Sequence, residues 1–137
     1  MIREAGLSDI PALVEMGRRF AEKGAPHVGF DAASVENLLT GMIENQNGLV
    51  LCCEAGMFGA IIYPHPFNNA HLVAQELFWW SEGREGMAML REAEKRLEGR
   101  CNSFVMITLE TVNPDRMAAF YEKRGFVPME RGFVKEF

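Results

Sequence analysis

The amino-acid sequence predicts an α/β (α+β) domain with a mixed, mostly antiparallel central sheet flanked by helices. Three features predict it: a β-hairpin in mid-chain, two amphipathic helices before the hairpin, and a strand–turn–helix unit after it. Together they give the element order βααβββαβαββ. We expect residues 1–137 to form a single domain, because a chain of this length can bury one sizeable core.

The first half of the chain contains the helices and the hairpin. Ser8 is a candidate N-cap for a helix with Pro11 in its first turn, and Asp31 is a candidate N-cap for a second helix over about Ala32–Asn45. The turn Glu54-Ala55-Gly56 joins two predicted strands, Leu49–Cys53 and Met57–Tyr63. The loop segments are Gly24–Phe30 and Pro64–Asn69, the latter because two prolines disfavour a central strand.

The second half of the chain alternates strands with helices. In chain order, the sequence predicts a strand at His71–Trp80, a helix from Gly86, a strand at Phe104–Glu110, a helix from Pro114 to Lys123, and short closing strands at Phe126-Val127 and Gly132–Phe137. The edge near Gly132–Phe137 can pair with a second chain, which would give a homodimer.

Charge and hydropathy narrow the classes of partner. The net charge is −5 and no Lys/Arg stripe is present, which argues against nucleic acid as a partner. No apolar run is long enough to span a membrane, and the N-terminus lacks the apolar core of a signal peptide. We therefore expect a cytoplasmic protein that binds neither membrane nor nucleic acid.

The stretch from Gln75 to Leu97 is the first candidate ligand site. Its aromatic start is typical of a strand, and a turn containing Gly83 and Gly86 joins it to an amphipathic helix. A helix N-terminus beside glycines offers unpaired N–H groups and a positive dipole end, which bind phosphate well. The alternative is an ordinary strand–turn–helix without a ligand, which many α/β domains contain.

The segment from Asn113 to Val127 carries the most specific pattern. It reads Asn-Pro-Asp-Arg-Met-Ala-Ala-Phe-Tyr-Glu-Lys-Arg-Gly-Phe-Val. This resembles the late motif of GNAT-type N-acetyltransferases, in which a helix carrying Phe-Tyr ends in Arg-Gly-Phe. The predicted element order is similar to the GNAT-like fold over essentially the whole chain. The resemblance implies that residues 75–97 bind acetyl-CoA as a co-substrate.

The resemblance also implies an activity. It is the direct transfer of an acetyl group from acetyl-CoA to a primary amine, on a small molecule or a peptide, in a cleft between two splayed central strands. The reaction needs groups that take a proton from the amine, stabilise an oxyanion and protonate the departing thiolate. The alternative is a catalytically weak or inactive module of the same fold that binds CoA or a protein partner.

The phosphate-binding turn departs from the family pattern, which opens with Arg or Gln. Alignment of its glycine on Gly86 and its small residue on Ala88 puts Gly83 in that opening place, one residue before Arg84. Backbone N–H groups can hold a pyrophosphate without any particular side chain. The candidate cofactor-binding residues of the turn are Arg84, Glu85, Gly86, Met87 and Ala88.

Two residues are candidates for catalysis. Tyr121 matches the family's general acid, since a phenol with a pKa of about 10 can protonate a thiolate of pKa about 8.5; the alternative is a packing role. Glu76 is the candidate base, and strict alternation puts it on an apolar face with Leu72, Ala74, Phe78 and Trp80. A structural carboxylate, a bulge that changes the face, a water-relayed base and His27 stay open as alternatives.

The remaining candidates surround the predicted cleft. Backbone N–H groups near Phe78, Trp79 and Trp80 match the place where the family's strand bulges beside the thioester, although a strand aromatic pair is also typical core. Asn113 matches a position that binds the pantetheine arm, and it is also an N-cap candidate. Loop residues that the resemblance places near the acceptor are His27, Phe30, His65, Phe67 and Asn69.

Overall fold

The computed structural model describes residues 1–110 and 112–137 of the chain. It divides into two compact units, Met1–Ile107 and Thr108–Phe137, which are described separately below. The expectation that residues 1–137 form a single domain stays a prediction.

The first unit is a five-stranded sheet with helices. Its strands are β1 (Arg3–Glu4), β2 (Gly48–Cys53), β3 (Gly56–His65), β4 (Asn68–Ser81) and β5 (Ser103–Val105), and its helices are α1 (Ile10–Gly24), α2 (Ala32–Glu44) and α3 (Gly86–Leu97). The strands lie in chain order, β1-β2-β3-β4-β5. All neighbours are antiparallel except β4 and β5, which are parallel. The predicted mixed, mostly antiparallel sheet is therefore confirmed.

The two N-cap predictions have opposite outcomes. Asp31 caps α2 as predicted, since its carboxylate accepts a hydrogen bond of 3.0 Å from the Ser34 backbone N–H. The Ser8 prediction is wrong: Ser8 lies in a short 3₁₀ turn, and α1 follows Asp9 without a side-chain cap. The Asp9 carboxylate instead binds the Arg3 guanidinium through two contacts of 2.7 Å, so sequence spacing alone misplaces this helix start.

The β3–β4 hairpin is longer than the sequence indicates. The segment Pro64–Asn69 was expected to be a loop, but β3 continues through Pro64 to His65 and β4 begins at Asn68. Proline is tolerated here because β2 accompanies β3 only as far as Ile61, so Pro64 has a neighbouring strand on one side only.

The sheet has an apolar core on each face. On one face, α1 and α2 cover the sheet, and the buried residues include Leu13, Met16, Leu39, Met42, Met57 and Phe78. On the other face, α3 covers it, and the buried residues include Leu51, Phe58, Ala60, Ala74, Met89, Ala93 and Leu97. Strand β4, like β2 and β3, contributes to both cores.

The second unit contains helix α4 (Pro114–Lys123). Gly125 adopts φ +90° just after it, as predicted for the residue that stops the helix. The predicted closing strands at Phe126-Val127 and Gly132–Phe137 are wrong, because both segments lack regular secondary structure. The predicted strand Phe104–Glu110 is shorter, ending at Val105. β-Favouring residues such as Phe, Val and Ile indicate a strand, but a strand also needs a hydrogen-bonded neighbour, which residue content does not specify.

Within residues 1–110 and 112–137, no helix combines the length and the apolar character that crossing a bilayer requires.

Candidate active site

The pairing of β4 with β5 ends part-way along β4. The parallel ladder between them runs through Val73–Ser103 and Ala74–Phe104 and ends at Gln75–Val105. Strand β4 continues from Glu76 to Ser81 without β5 beside it. We call the end of this ladder, where β4 continues as residues 76–81 without β5, the β4 opening.

A β-bulge lies at the start of this opening. Gly59 pairs with Phe78 but Ala60 pairs with Glu76, so Leu77 is the extra residue. The alternation predicted for the strand is therefore wrong beyond Glu76. Phe78 and Trp80 belong to the core under α1 and α2, whereas Leu72 and Ala74 belong to the core under α3. Glu76 pairs with Ala60, which lies in the α3-side core.

Glu76 is the one buried charged residue of the part of the chain that the structure describes, at 4% exposure. Its carboxylate accepts a hydrogen bond of 3.2 Å from the Ile107 backbone N–H, just beyond the last β4–β5 pair. Burial raises the pKa of Glu76 to about 7, and this hydrogen bond opposes the shift. A carboxyl that titrates near neutral pH has the proton affinity of an effective general base.

The aromatic residues after Glu76 have structural contacts. The Trp79 indole N–H donates to the Gly86 carbonyl at 3.2 Å. The Trp80 indole N–H donates to the Glu82 carboxylate at 3.0 Å, and its ring meets that of Phe20 edge-on with centroids 5.7 Å apart. These contacts hold the end of β4 against α1 and α3. The predicted roles of Phe78, Trp79 and Trp80 toward a cofactor stay predictions.

The N-terminus of α3 has the form of an anion site. The helical ladder begins with the Met89 N–H donating to the Glu85 carbonyl at 2.8 Å, so the N–H groups of Gly86, Met87 and Ala88 precede it. No side chain caps this helix within the described residues. Arg84 is exposed beside it. The turn between Ser81 and Gly86 is tight, since a Cβ at Gly86 would lie 3.3 Å from the Ser81 Cβ.

Tyr121 and Asn113 lie in the second unit. Tyr121 is 7% exposed on α4, and its ring centroid is 5.6 Å from that of Phe126. Asn113 precedes α4 in the left-handed conformation, with φ +42°, and its side chain makes no capping hydrogen bond. Asn113 therefore occupies the N-cap position of α4, as the sequence indicated, but its side chain does not form the cap. The acid role of Tyr121 and the pantetheine role of Asn113 stay predictions.

A cavity of about 580 Å³ is the feature that sequence reasoning missed. Its walls are α1, α2 and the loop between them, and its floor includes Leu77 and Phe78. Of the loop residues proposed from the sequence, Phe30 lines it. The adjacent apolar residues Leu77 and Phe78 were a signal of the bulge, because a regular strand with one face buried alternates.

No protein-family profile matches this sequence, and no curated protein matches it. Solved structures do match it as folds. A Trypanosoma brucei acetyltransferase aligns with TM-score 0.72 at 19% identity, over 100% of this chain and 99% of that one. A Clostridium acetobutylicum protein, described as a predicted acetyltransferase with acetyl-CoA, has TM-score 0.76 at 14% identity, over 99% and 95% of the two chains.

A third similar structure has a different description. It is a transcriptional regulator from Bacillus halodurans, with TM-score 0.75 at 20% identity, over 100% of this chain and 99% of that one. At these identities the comparisons define the fold. The chain has the GNAT-type N-acetyltransferase fold, as the Asn113–Val127 motif indicated.

Proposed function

We propose that this protein is an acetyl-CoA-dependent N-acetyltransferase that moves an acetyl group directly to a primary amine. The observation that carries the proposal is Glu76, a buried carboxyl of pKa about 7 at the base of the β4 opening. Most structural carboxylates are ionised and exposed, so a buried one beside an unpaired strand edge is typical of a catalytic base. The fold supports the same activity, since similar structures are described as acetyltransferases.

In this mechanism Glu76 takes the proton from the attacking amine. Its pKa near 7 lies well below that of an ordinary alkyl ammonium, but a buried carboxylate accepts a proton readily because the neutral acid is the better-solvated form there. The Ile107 N–H holds the carboxylate in one orientation through its 3.2 Å hydrogen bond. Glu76 therefore removes the proton at the place where the amine attacks the thioester.

The backbone of the bulge is proposed to stabilise the developing oxyanion. Residues Phe78 to Trp80 follow the bulge, where β4 has no β5 partner, and backbone N–H groups of this segment are the proposed donors. Fixed backbone N–H donors stabilise negative charge without having to reorganise. The contacts of Trp79 with Gly86 and of Trp80 with Glu82 keep this segment rigid.

The α3 N-terminus is proposed to hold the diphosphate of CoA. The N–H groups of Gly86, Met87 and Ala88 precede the helical ladder, and the positive end of the helix dipole is there. Arg84 adds an exposed cation without an ion pair among the described residues. This chain therefore fits a CoA phosphate group although Gly83 replaces the family's Arg or Gln. Acetyl-CoA would supply the activated acetyl thioester when bound, and CoA would leave as the thiol.

Tyr121 is proposed as the general acid for the thiolate of the departing CoA. The support is its match to the family motif and the capacity of a phenol O–H to donate its proton to a thiolate. The Tyr121→Phe substitution keeps the ring and removes the proton. It is expected to lower turnover, and unchanged turnover at every pH would remove Tyr121 from the mechanism.

Acetyl-CoA binding and turnover test the proposal together. We expect calorimetry to show one site per chain, and release of CoA thiol to depend on an added amine. Arg84→Ala should weaken acetyl-CoA binding about five- to tenfold, because it removes a charge beside the phosphates. Arg91→Ala, at an exposed position within α3, is the matched control and should bind normally. Absence of acetyl-CoA binding would contradict the proposal.

A second candidate function is a non-catalytic module of the same fold. Two observations favour it: Gly83 in the opening place of the phosphate turn, and a similar structure described as a transcriptional regulator. Binding of acetyl-CoA without turnover on any amine would support this function over catalysis. For either function we propose a cytoplasmic protein that can form a homodimer, with neither nucleic acid nor membrane as partner.

A further inference from the structure

We propose that the cavity between α1 and α2 binds the apolar body of the acceptor, so that the substrate class is small primary amines carried on an aromatic or branched aliphatic group. This inference rests on the proposed acetyl transfer and adds the chemical identity of the acceptor to it. No residue type in the sequence had indicated which amine is used.

The chemistry of the cavity wall is the first support. Apart from Asp31 and Ser34, every lining residue is apolar or glycine. The aromatic and branched contributors include Phe20, Val28, Phe30, Val35, Leu38 and Leu77. A polar acceptor such as a sugar or a polyamine would leave its own hydroxyl or amino groups without partners against these walls. An apolar group gains free energy by leaving water there.

The second support is that the floor of the cavity belongs to the catalytic strand. Leu77 and Phe78 line the cavity, and they directly follow Glu76 in β4. The bulge turns both of these side chains toward α1 and α2. A group seated on the floor is therefore held one or two residues from the proposed base. Because Glu76 lies on the α3 side of β4, the proposal requires the amine to pass the edge of the strand to meet the carboxylate.

Charge is the third support, because the cavity is lined by one acid and no base. The Asp31 carboxylate uses Oδ2 for both of its bonds with Ser34, and the pKa of Asp31 is lowered by those bonds, so it stays ionised. No Lys, Arg or His side chain is among the lining residues that the structure describes. An anion at the mouth attracts an ammonium and repels carboxylic acids.

The volume of the cavity restricts the class of acceptor amine further. A cavity of about 580 Å³ falls within the range of small-molecule sites, roughly 300–1,000 Å³. Gly17 lines it on α1, and a Cβ there would meet Val35, Phe30 and Met57 at 3.7–3.9 Å. Alanine therefore fits at position 17, whereas a larger side chain would extend into the space that the acceptor needs.

Two amines with the same two-carbon linker test the proposal: 2-phenylethylamine and ethanolamine. We expect kcat/KM for 2-phenylethylamine to be at least about 30-fold higher, because only the phenyl ring offers apolar surface to the cavity wall. Gly17→Leu should lower kcat/KM for 2-phenylethylamine about tenfold and leave ethanolamine within about twofold. Gly41→Leu is the matched control, since it makes the same change in α2 where nothing lies within 4 Å.

Asp31→Asn tests the charge separately. Asn caps a helix about as well as Asp, so α2 keeps its start and loses only the negative charge. We expect KM for both amines to rise about threefold to fivefold, with kcat unchanged. An unchanged KM would remove Asp31 from acceptor binding.

Direct binding separates this inference from the proposed function. In calorimetry on the CoA-saturated protein, 2-phenylethylamine should bind to wild type and to Gly41→Leu, and about tenfold more weakly to Gly17→Leu. If that pattern appears without turnover, the cavity assignment is supported and acetyl transfer is contradicted. If turnover occurs but ethanolamine is preferred, or Gly17→Leu affects both amines equally, the acceptor class is wrong and the transferase proposal stands.

Discussion

The two faces of strand β4 are built differently. On the α3 side, Phe58, Met89 and Leu97 are at most 2% exposed and pack into a continuous core. On the side of α1 and α2, the same strand borders a cavity of about 580 Å³. Cores normally leave few voids larger than a water molecule. Both faces of β4 therefore bury apolar side chains, and the face under α1 and α2 also borders an open space.

The bulge at Leu77 is the physical origin of this difference. It places two successive large side chains, Leu77 and Phe78, on the cavity face, and it leaves Glu76 on the packed side. The Phe78 ring lies over Gly59, where a Cβ would come within 2.1 Å of its Cζ. The arrangement combines a rigid strand with a carboxyl at the boundary between packed core and opening. The predictions below probe the two faces, beginning with the largest effect.

Glu76→Gln should lower kcat/KM at pH 7 by about 10²- to 10³-fold, because the amide keeps the shape of the carboxyl and cannot accept the proton. The deficit should shrink above about pH 9, where more of the amine is already deprotonated. A pH profile of thiol release measures both effects. Glu98→Gln, at an exposed position after α3, is the control. A profile that is the same for wild type and Glu76→Gln would exclude Glu76 as the base.

The packing difference can be measured with two leucines. Leu97, 2% exposed on the α3 side, should lose about 3 kcal/mol of unfolding free energy on change to Ala, because a cavity opens in a filled core. Leu38 lines the existing cavity and is 45% exposed, so Leu38→Ala should cost less than about 1 kcal/mol. Urea unfolding of both variants gives the comparison. Equal losses would mean that the two faces are packed alike.

The fold was largely predictable because its elements have local causes. The hairpin at Glu54–Gly56, the cap at Asp31 and the glycine stop at Gly125 each depend on residues within a few positions. The closing strands fail as predictions because pairing depends on a distant neighbour, which a pattern of alternating residues does not specify. The start of α1 fails for a similar reason: the Asp9 carboxylate is engaged by Arg3, six residues earlier.

The sequence predicted which residues belong to the candidate site better than it predicted their arrangement in space. Glu76 was selected by its strand and its apolar surroundings, and its burial is as expected. Its face relative to Phe78 was not predictable, since one extra residue in a strand reverses everything after it. The cavity was also out of reach, because a void depends on how α1 and α2 sit on the sheet. Roles in catalysis stay predictions for Glu76 and Tyr121 alike.

The pH dependence of stability provides an independent measure of Glu76 burial. Its pKa is raised from 4.5 to about 7 in the folded chain, so the folded state binds a proton more tightly than the unfolded state. Unfolding free energy should therefore fall as pH rises from about 4.5 to about 7, by up to roughly 3 kcal/mol, and then level off.

Glu76→Gln should lack this pH-dependent part of the unfolding free energy. Subtracting the unfolding free energy of the variant from that of the wild type therefore isolates it. Subtraction also removes Asp9, whose lowered pKa acts in the opposite direction by costing stability as pH falls. Urea titrations at pH 5 and pH 8 are sufficient. A difference that does not change with pH would show that the Glu76 carboxyl is solvated in the folded chain.

Gly59→Ala tests the bulge itself and should cost about 1–3 kcal/mol of unfolding free energy. The new methyl group would overlap the Phe78 ring, which is too rigid to yield at its edge without moving as a whole. Gly41→Ala, in the open part of α2, should instead add up to about 1 kcal/mol of unfolding free energy through helix propensity.

Because the clash involves only Gly59 and Phe78, Phe78→Leu should relieve part of the loss caused by Gly59→Ala. We expect a coupling energy of about 1 kcal/mol in a double-mutant cycle. If the losses from Gly59→Ala and Phe78→Leu simply add, the strain lies elsewhere in β3. The contact between the Phe78 ring and Gly59 would then not fix the register of the bulge.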